Sequence, residues 1–370
     1  MKIFHLVLDG YHPDNEVDFF DNFGMTVNGR TVRTFSTTYE EEKLLNSSIQ
    51  WPKIYTGQSL DGIARWDVNN PVTMSIRDKF KTLDKRNFLW NQLAKQGCTS
   101  LVFPYGSLAS IFFDNLLSKE SEDYCTMMVR RWGRPSYFLQ LGKIKDKIQS
   151  DYKYWGLHEV GDTMDLNLSK EMREQIRDYW ATDSSESLGN LAVNLEDFYL
   201  SSYKEKLDEN LKVIKKEFLQ LLDSQNYVHL GLIETDTIYH YASIYPKAKQ
   251  MIRDYVSEVI RYIKKHYNPD CILIHGDHNM VSISEEIKEV FPDKKLSTVN
   301  YKGQEYKCIK SRTGYSPIYH EHGNKVGGIM WARDKKVLNV FESFLRESDF
   351  ISAVRAFLLT MPQVELTELS

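Results

Sequence analysis

The chain has 370 residues, 42% hydrophobic and 26% charged, which suits one large α/β domain, or one domain with a sizeable insertion, and excludes a disordered or fibrous chain. Its formal net charge is −4 and its mean hydropathy −0.46, so it lacks the surplus of Lys and Arg that an obligate, non-specific nucleic-acid binder needs. No apolar run approaches the ~18 residues of a membrane span, and Cys98, Cys125, Cys271 and Cys308 form no CxxC pair, which points to a reducing cytoplasm and against a disulfide framework.

The first element is an apolar segment at 2–8 that runs into Asp9-Gly10. His5 and Asp9 interrupt it and no small-residue cleavage site follows, so it is expected to be a buried first strand and not a secretory leader. Asn46, Ser47 and Ser48 come ahead of a short helical segment that Gly57 terminates. Phe88, Leu89 and Leu93 have helical spacing, with Gly97 as the stop. A strand follows at 99–103. The rhythm then breaks from 105 to 202, a stretch with Trp132, Trp155, Trp180 and many charges. It is expected to be an inserted cap, leaving 1–104 and 203–370 as the catalytic α/β core. Leu207, Leu211, Ile214, Phe218 and Leu222 form a helical stripe before a strand at 227–233. Met251, Tyr255, Val259 and Ile263 form another before a strand at 271–275, and a last strand is expected at 328–332. This alternation predicts an α/β fold: a central, mostly parallel sheet flanked by crossover helices.

Ligands of such sheets gather beyond the carboxyl ends of the strands, and several of these strands meet metal-ligand residue types there. The first ends at Asp9. The strand at 227–233 runs into Asp236 and His240, and the strand at 271–275 into Gly276-Asp277-His278-Asn279. Just before the last strand stand His320, Glu321, His322 and Gly323. Carboxylate mixed with imidazole suits Zn²⁺ or Mn²⁺, whereas an all-oxygen set would suit Mg²⁺ or Ca²⁺. A lone Asp after a strand is more often a turn residue, and Asp236 and His240 alone would suit an exposed helical face. Their convergence at one end of one sheet gives the set its weight. Ser47 and Ser48 fit an ordinary N-cap, yet a helix N-terminus also favours an alkoxide or a bound phosphate.

Arg130-Arg131-Trp132-Gly133-Arg134 is the compact basic-aromatic cluster of the 105–202 stretch. It suits a second phosphate or a stacked base, but a surface run whose Arg stems cover apolar area is the preferred reading. His12, His158, His229 and His266 have no partner visible in the sequence and read as ordinary residues. There is no GxSxG elbow, no GxGxxG turn and no phosphate-loop Lys.

Taken in order, LVLDGYHP, SSIQWPKIYTGQSLDGI, RNFLWNQLAKQGCTSLVFP, IETDTIYH, ILIHGDHNM and EHGNKVGGIMWARD resemble the alkaline phosphatase superfamily, in particular its type I phosphodiesterase/nucleotide pyrophosphatase branch. The resemblance covers both ends of the chain and not the middle. It implies two divalent metal ions, Zn²⁺ first and Mn²⁺ second. One would be held by Asp236, His240 and His322, the other by Asp9, Asp277 and His278. His320 competes with His322, which is preferred because Gly323 follows it. The implied nucleophile is Ser47, with Ser48 as the alternative, and the implied reaction is hydrolysis of a phosphate diester on a small phosphorylated substrate through a phosphoseryl intermediate. A phosphomonoesterase, a phosphomutase and a non-catalytic phosphate-binding protein are the competing readings. The branch's Asn, which follows the Gly-Ile after the nucleophile helix, is missing: Gly62-Ile63 leads into Ala64-Arg65-Trp66-Asp67, and Asn69 and Asn70 come late. Asn69, Arg130 and Arg131 are therefore only candidate substrate contacts. The sulfatase pattern, Cys or Ser followed by x-Pro-x-Arg, is absent.

Overall fold

A computed structural model of the chain describes residues 1–13, 32–39, 45, 47–58, 83–104, 116–130, 136–142, 151–152, 208, 211, 215, 221–222, 224–232, 246–282, 295–301, 304–311, 314–316 and 320–363. Five strands run parallel through the middle of a mixed sheet: β1 (Ile3–Leu8), β3 (Ser100–Phe103), β4 (Cys125–Arg130), β7 (Tyr227–Leu232) and β8 (Cys271–His275). Among the described residues the sheet has nine strands, ordered β2-β14-β8-β1-β7-β3-β4-β5-β6. Here β2 is Val32–Thr38, β5 Ser136–Gly142, β6 Asp151–Tyr152 and β14 Lys325–Ala332. Every residue of β1, β7 and β8 is buried, as expected for parallel strands covered on both faces.

The expected strands at 2–8, 99–103, 227–233 and 271–275 are the parallel centre. The last expected strand is longer at its start than 328–332 and runs antiparallel to β8, with Gly328 opposite His275 and Ala332 opposite Cys271. This reversal positions the site. The start of β14 lies at the same edge as the carboxyl ends of β1, β7 and β8, so residues just before β14 join residues just after the parallel strands. Strand β2 pairs antiparallel with β14. Within 105–202, the stretch expected as a cap, β4 continues the parallel sheet beside β3, and β5 and β6 add antiparallel edge strands; residues 153–202 lie outside the described residues.

One face of the sheet presents Ile3, Val7, Tyr227, Cys271 and Leu273 to a single buried cluster. The cluster is closed by α1 (Ser47–Thr56), α2 (Leu89–Lys95), α4 (Lys335–Glu347) and α5 (Phe350–Thr360). Burying each Leu, Ile or Phe side chain there stabilises the fold by about 1.5–3 kcal/mol. The helices start where the sequence supplies caps: Asp334 accepts from the Lys336 N–H at 2.9 Å and Asp349 from the Ser352 N–H at 3.1 Å. Gly97, at φ +75°, stands just beyond α2 as expected. The stripe at Met251, Tyr255, Val259 and Ile263 belongs to α3 (Pro246–His266). Its buried side is Ile252, Tyr255, Val256, Val259, Ile260 and Ile263, with Met251 at the margin. The stripe at 207–222 falls mostly outside the described residues. A three-stranded sheet of β10 (Lys295–Tyr301), β11 (Gln304–Ser311) and β12 (Gly314–Ser316) and the pair β9 (Met280–Ser282) with β13 (His320–His322) complete the strands. No described helix is long and apolar enough to cross a membrane.

Candidate active site

Asp9 follows β1, and its backbone N–H still donates to Leu232 O of β7 at 3.0 Å. Asp277 and His278 follow β8. A close fit brings the two turns together: a Cβ on Gly276 would lie 2.0 Å from the carbonyl oxygen of Tyr11, so no larger residue fits between them. The Gly10 N–H donates to Asp277 Oδ1 at 3.2 Å. Asp9, Asp277 and His278 are all buried, and their ligand atoms lie within 4.8 Å of one another.

Three observations bear on whether this group fits a metal ion. His278 Nε2 lies 3.4 Å from Asp9 Oδ1 and 3.5 Å from Asp277 Oδ2. Atoms held at 2.0–2.1 Å by a tetrahedral cation are separated by roughly 3.3 Å, so this spacing suits one. His278 Nδ1 donates to the carbonyl oxygen of Asn279 at 3.1 Å, which leaves the Nε2 lone pair facing the two carboxylates, the usual orientation of a metal-binding imidazole. Asp277 Oδ2 has no hydrogen-bond donor among the described residues although it is buried. Two carboxylates buried beside one imidazole are costly without a positive charge to balance them. The donor set fits a divalent cation.

Helix α1 is tied to this group by Trp51, whose Nε1–H donates to Asp9 Oδ2 at 3.3 Å. Both serines fall inside the helix, as its first two residues, and not ahead of it. They precede Trp51 by one turn, in the segment where backbone N–H groups have no acceptor within the helix. Pro52 removes one further helical N–H. At the other end, Gly57 has φ +70°. There Arg355 donates from Nη1 to Tyr55 O and from Nη2 to Asn87 O, each at 2.6 Å; burial lowers the Arg355 pKa to about 10.

His322 ends β13, its backbone opposite Met280, two residues beyond His278; His320 is opposite Ser282. Arg130 ends β4. The side chains of Ser47, Ser48, His320, His322 and Arg130 lie outside the description, as do Asp236, His240, Asn69 and Arg131 entirely. The structure therefore brings together Asp9, Asp277 and His278 and places the serine helix and the His322 backbone at the same edge.

A buried hydrogen-bonded chain lies beneath the site, on the helix-covered face. His275 Nδ1 is 2.7 Å from Gly276 O, His275 Nε2 is 2.7 Å from His5 Nε2, and His5 Nδ1 is 2.7 Å from the Tyr227 hydroxyl. A carbonyl only accepts, so His275 carries its proton on Nδ1 and accepts on Nε2. His5 then donates from Nε2 and accepts the Tyr227 O–H on Nδ1. Likewise His229 donates from Nδ1 to His5 O at 3.2 Å and accepts from the Tyr55 hydroxyl at 2.9 Å. Burial keeps all three imidazoles neutral. It lowers His229 to about 3 and His275 to about 4, and holds His5 well below its ordinary range with help from the other two rings. In the sequence His229 reads as an ordinary residue and His5 as a break in an apolar run. The signal present was a His inside the apolar run of three separate strands.

No known protein-family profile matches the chain, and no curated protein sequence matches it. Among solved structures it is similar to the alkaline phosphatase from the Antarctic bacterium TAB5, at 11% identity and TM-score 0.36 over 91% of this chain and 92% of that one. A mutant of the TAB5 enzyme with Mg bound in the M3 site is 9% identical, TM-score 0.38, over 98% of each chain. Phosphonoacetate hydrolase from Sinorhizobium meliloti 1021, in complex with phosphonoacetate, is 9% identical, TM-score 0.38, over 97% and 95%. These are remote likenesses of shape and carry no argument about chemistry.

Proposed function

We propose that this chain is a two-metal-dependent phosphoric ester hydrolase of the alkaline phosphatase superfamily, cleaving a phosphate diester of a small substrate through a phosphoseryl intermediate. The reading is carried by the buried group of Asp9, Asp277 and His278, with Asp277 Oδ2 lacking a donor among the described residues and His278 Nε2 turned inward. Its place beside α1, which begins with Ser47 and Ser48 and reaches Asp9 through Trp51, supports a serine nucleophile. Asp236, His240 and His322 are proposed for the second ion; the opposition of His322 and Met280 supports that part of the assignment. Cys125 and Cys271 are buried thiols, which supports a reducing, cytoplasmic setting.

Bound divalent cations, Zn²⁺ first and Mn²⁺ second, would supply Lewis acidity and lower the pKa of the serine hydroxyl. The chain's own part is positioning. Asp9 and Asp277 bring negative charge into a buried site, Trp51 orients Asp9, and the Asn279 carbonyl orients His278. The oxygen of Ser47, or of Ser48, forms the new P–O bond while the leaving alcohol oxygen departs. Water then attacks phosphorus and the serine oxygen leaves. Positioning and charge neutralisation supply most of the rate, because the transferred group spreads its negative charge over three oxygens.

The test is a panel of chromogenic diesters and monoesters, nucleotides, sugar phosphates and phosphonates, run on the full chain with Zn²⁺ and with Mn²⁺. Activity on diesters, abolished by chelator and by Ser47→Ala, is expected. Loss in Ser48→Ala alone moves the nucleophile by one residue. Turnover indifferent to chelation would sink the reading. Fewer than two metals per chain with no turnover would favour a phosphate-binding protein.

A further inference from the structure

We propose that Asn279 is a positioning residue that clasps the two ligand-bearing segments together, so that metal affinity on both sides of it depends on its side-chain amide. The inference rests on the metal-cage reading above. Asn279 follows His278, is 7% exposed, and is bound by its N–H, its carbonyl and its side-chain oxygen to the segment that leads from His322 into β14. Its backbone N–H donates to Lys325 O at 2.7 Å, and its side-chain Oδ1 accepts the Lys325 N–H at 2.9 Å. A side-chain oxygen thereby takes a place that a strand carbonyl would fill. The Asn279 carbonyl accepts twice, from the Gly323 N–H at 2.7 Å and from His278 Nδ1 at 3.1 Å. One oxygen, with both lone pairs engaged, thus orients the imidazole of His278 on one side and the main chain adjoining His322 on the other.

The neighbouring Gly323 fits this clasp. A Cβ there would lie 2.1 Å from Asn279 Oδ1 and 2.6 Å from Cγ, so any larger residue would displace the amide. A plain turn role for Asn279 would affect stability alone. A positioning role affects how tightly the cage holds a cation, because groups that orient metal ligands typically contribute about 10–100-fold to affinity.

The experiment measures Zn²⁺ binding to the full chain, stripped with chelator and checked for native secondary structure, by competition with a chromogenic chelator. The unaltered chain is expected to take two Zn²⁺. In Asn279→Ala both affinities should fall by about 10–100-fold. Asn279→Asp keeps the Oδ1 acceptor and should stay within about threefold of the unaltered chain, a small part of that range. Gly323→Ala should match Asn279→Ala, and the double variant should be no weaker than either single one, the non-additivity expected of two residues in contact. Unchanged affinities in Asn279→Ala, or a loss confined to one site, would overturn the clasp while leaving the metal cage standing. If Asn279→Ala does not fold, Asn279→Asp binding as poorly as Gly323→Ala would overturn it equally. An unaltered chain that binds no Zn²⁺ would instead remove the metal cage itself.

Discussion

The two ring nitrogens of His278 are committed to different partners, one to a backbone carbonyl and one to a pair of carboxylates. That division sets the first expectation. On the two-metal proposal, His278→Ala should lower bound metal from two ions per chain to one, read by elemental analysis after dialysis, with little change in fold. Trp51→Phe keeps the ring in the core but removes the donor to Asp9. A hydrogen bond to a charged group is worth about 1.5–3 kcal/mol, so metal affinity at this site should fall by roughly tenfold or more in the same titration. An unchanged affinity would mean that Trp51 only packs. The grouping of Asp9, Asp277 and His278 was legible in the sequence because each is a ligand residue type placed straight after a buried strand. Trp51 was not, because a Trp on a short helix reads as core, and the hydrogen bond on its edge leaves no mark in the spacing.

At the level of elements, direction was the hidden quantity. The apolar runs of β1, β7 and β8 announced themselves, yet composition says nothing about which way a strand points, and β14 proved antiparallel. Strand β2, Val-Arg-Thr-Phe-Ser-Thr-Thr, escaped because it is only half-covered and mostly polar; its Phe35 packs edge-on to Phe341 at 4.9 Å, and Thr37 Oγ1 accepts the Phe350 N–H at 3.1 Å. Strand β4 lay in a stretch whose charges and Trp residues suggested a separate unit. The end of α1 offers a test at this scale. Gly57 sits at φ +70°, and a Cβ there would meet Arg355 Nε at 2.7 Å. Gly57→Ala should therefore cost about 1–2 kcal/mol from the left-handed backbone, plus the disturbance of Arg355, as a lowered urea midpoint. Because α1 also carries the serines, activity in that variant should fall more than metal content does.

For the whole molecule, three neutral histidines at the centre of the sheet make stability depend on acid. Each titrates near 6.5 in the unfolded chain and far lower when folded, with His229 at about 3 and His275 at about 4. As pH falls, the unfolded state takes up these protons first. The contribution is complete above pH ~6.5 and is lost progressively towards pH ~4 for His275 and pH ~3 for His229, at roughly 1.4 kcal/mol per pH unit for each histidine. Urea midpoints measured from pH 7.5 down to pH 4.5 should drop steeply below 6.5, and a flat profile would contradict the buried neutral state.

The chain of imidazoles also has a direction. Tyr227 is the first residue of β7, His5 lies midway along β1, and His275 is the last residue of β8. The hydrogen bonds linking them pass every proton the same way, towards the ends of the strands. The O–H and N–H dipoles therefore add instead of cancelling, in a sheet whose backbone contributes little net dipole of its own. Their positive ends face the edge where Asp9 and Asp277 are buried, so the interior of the sheet itself favours negative charge there. No single link can reverse without reversing the rest, which makes a hydroxyl at the far end of β7 part of the electrostatics of a turn two strands away.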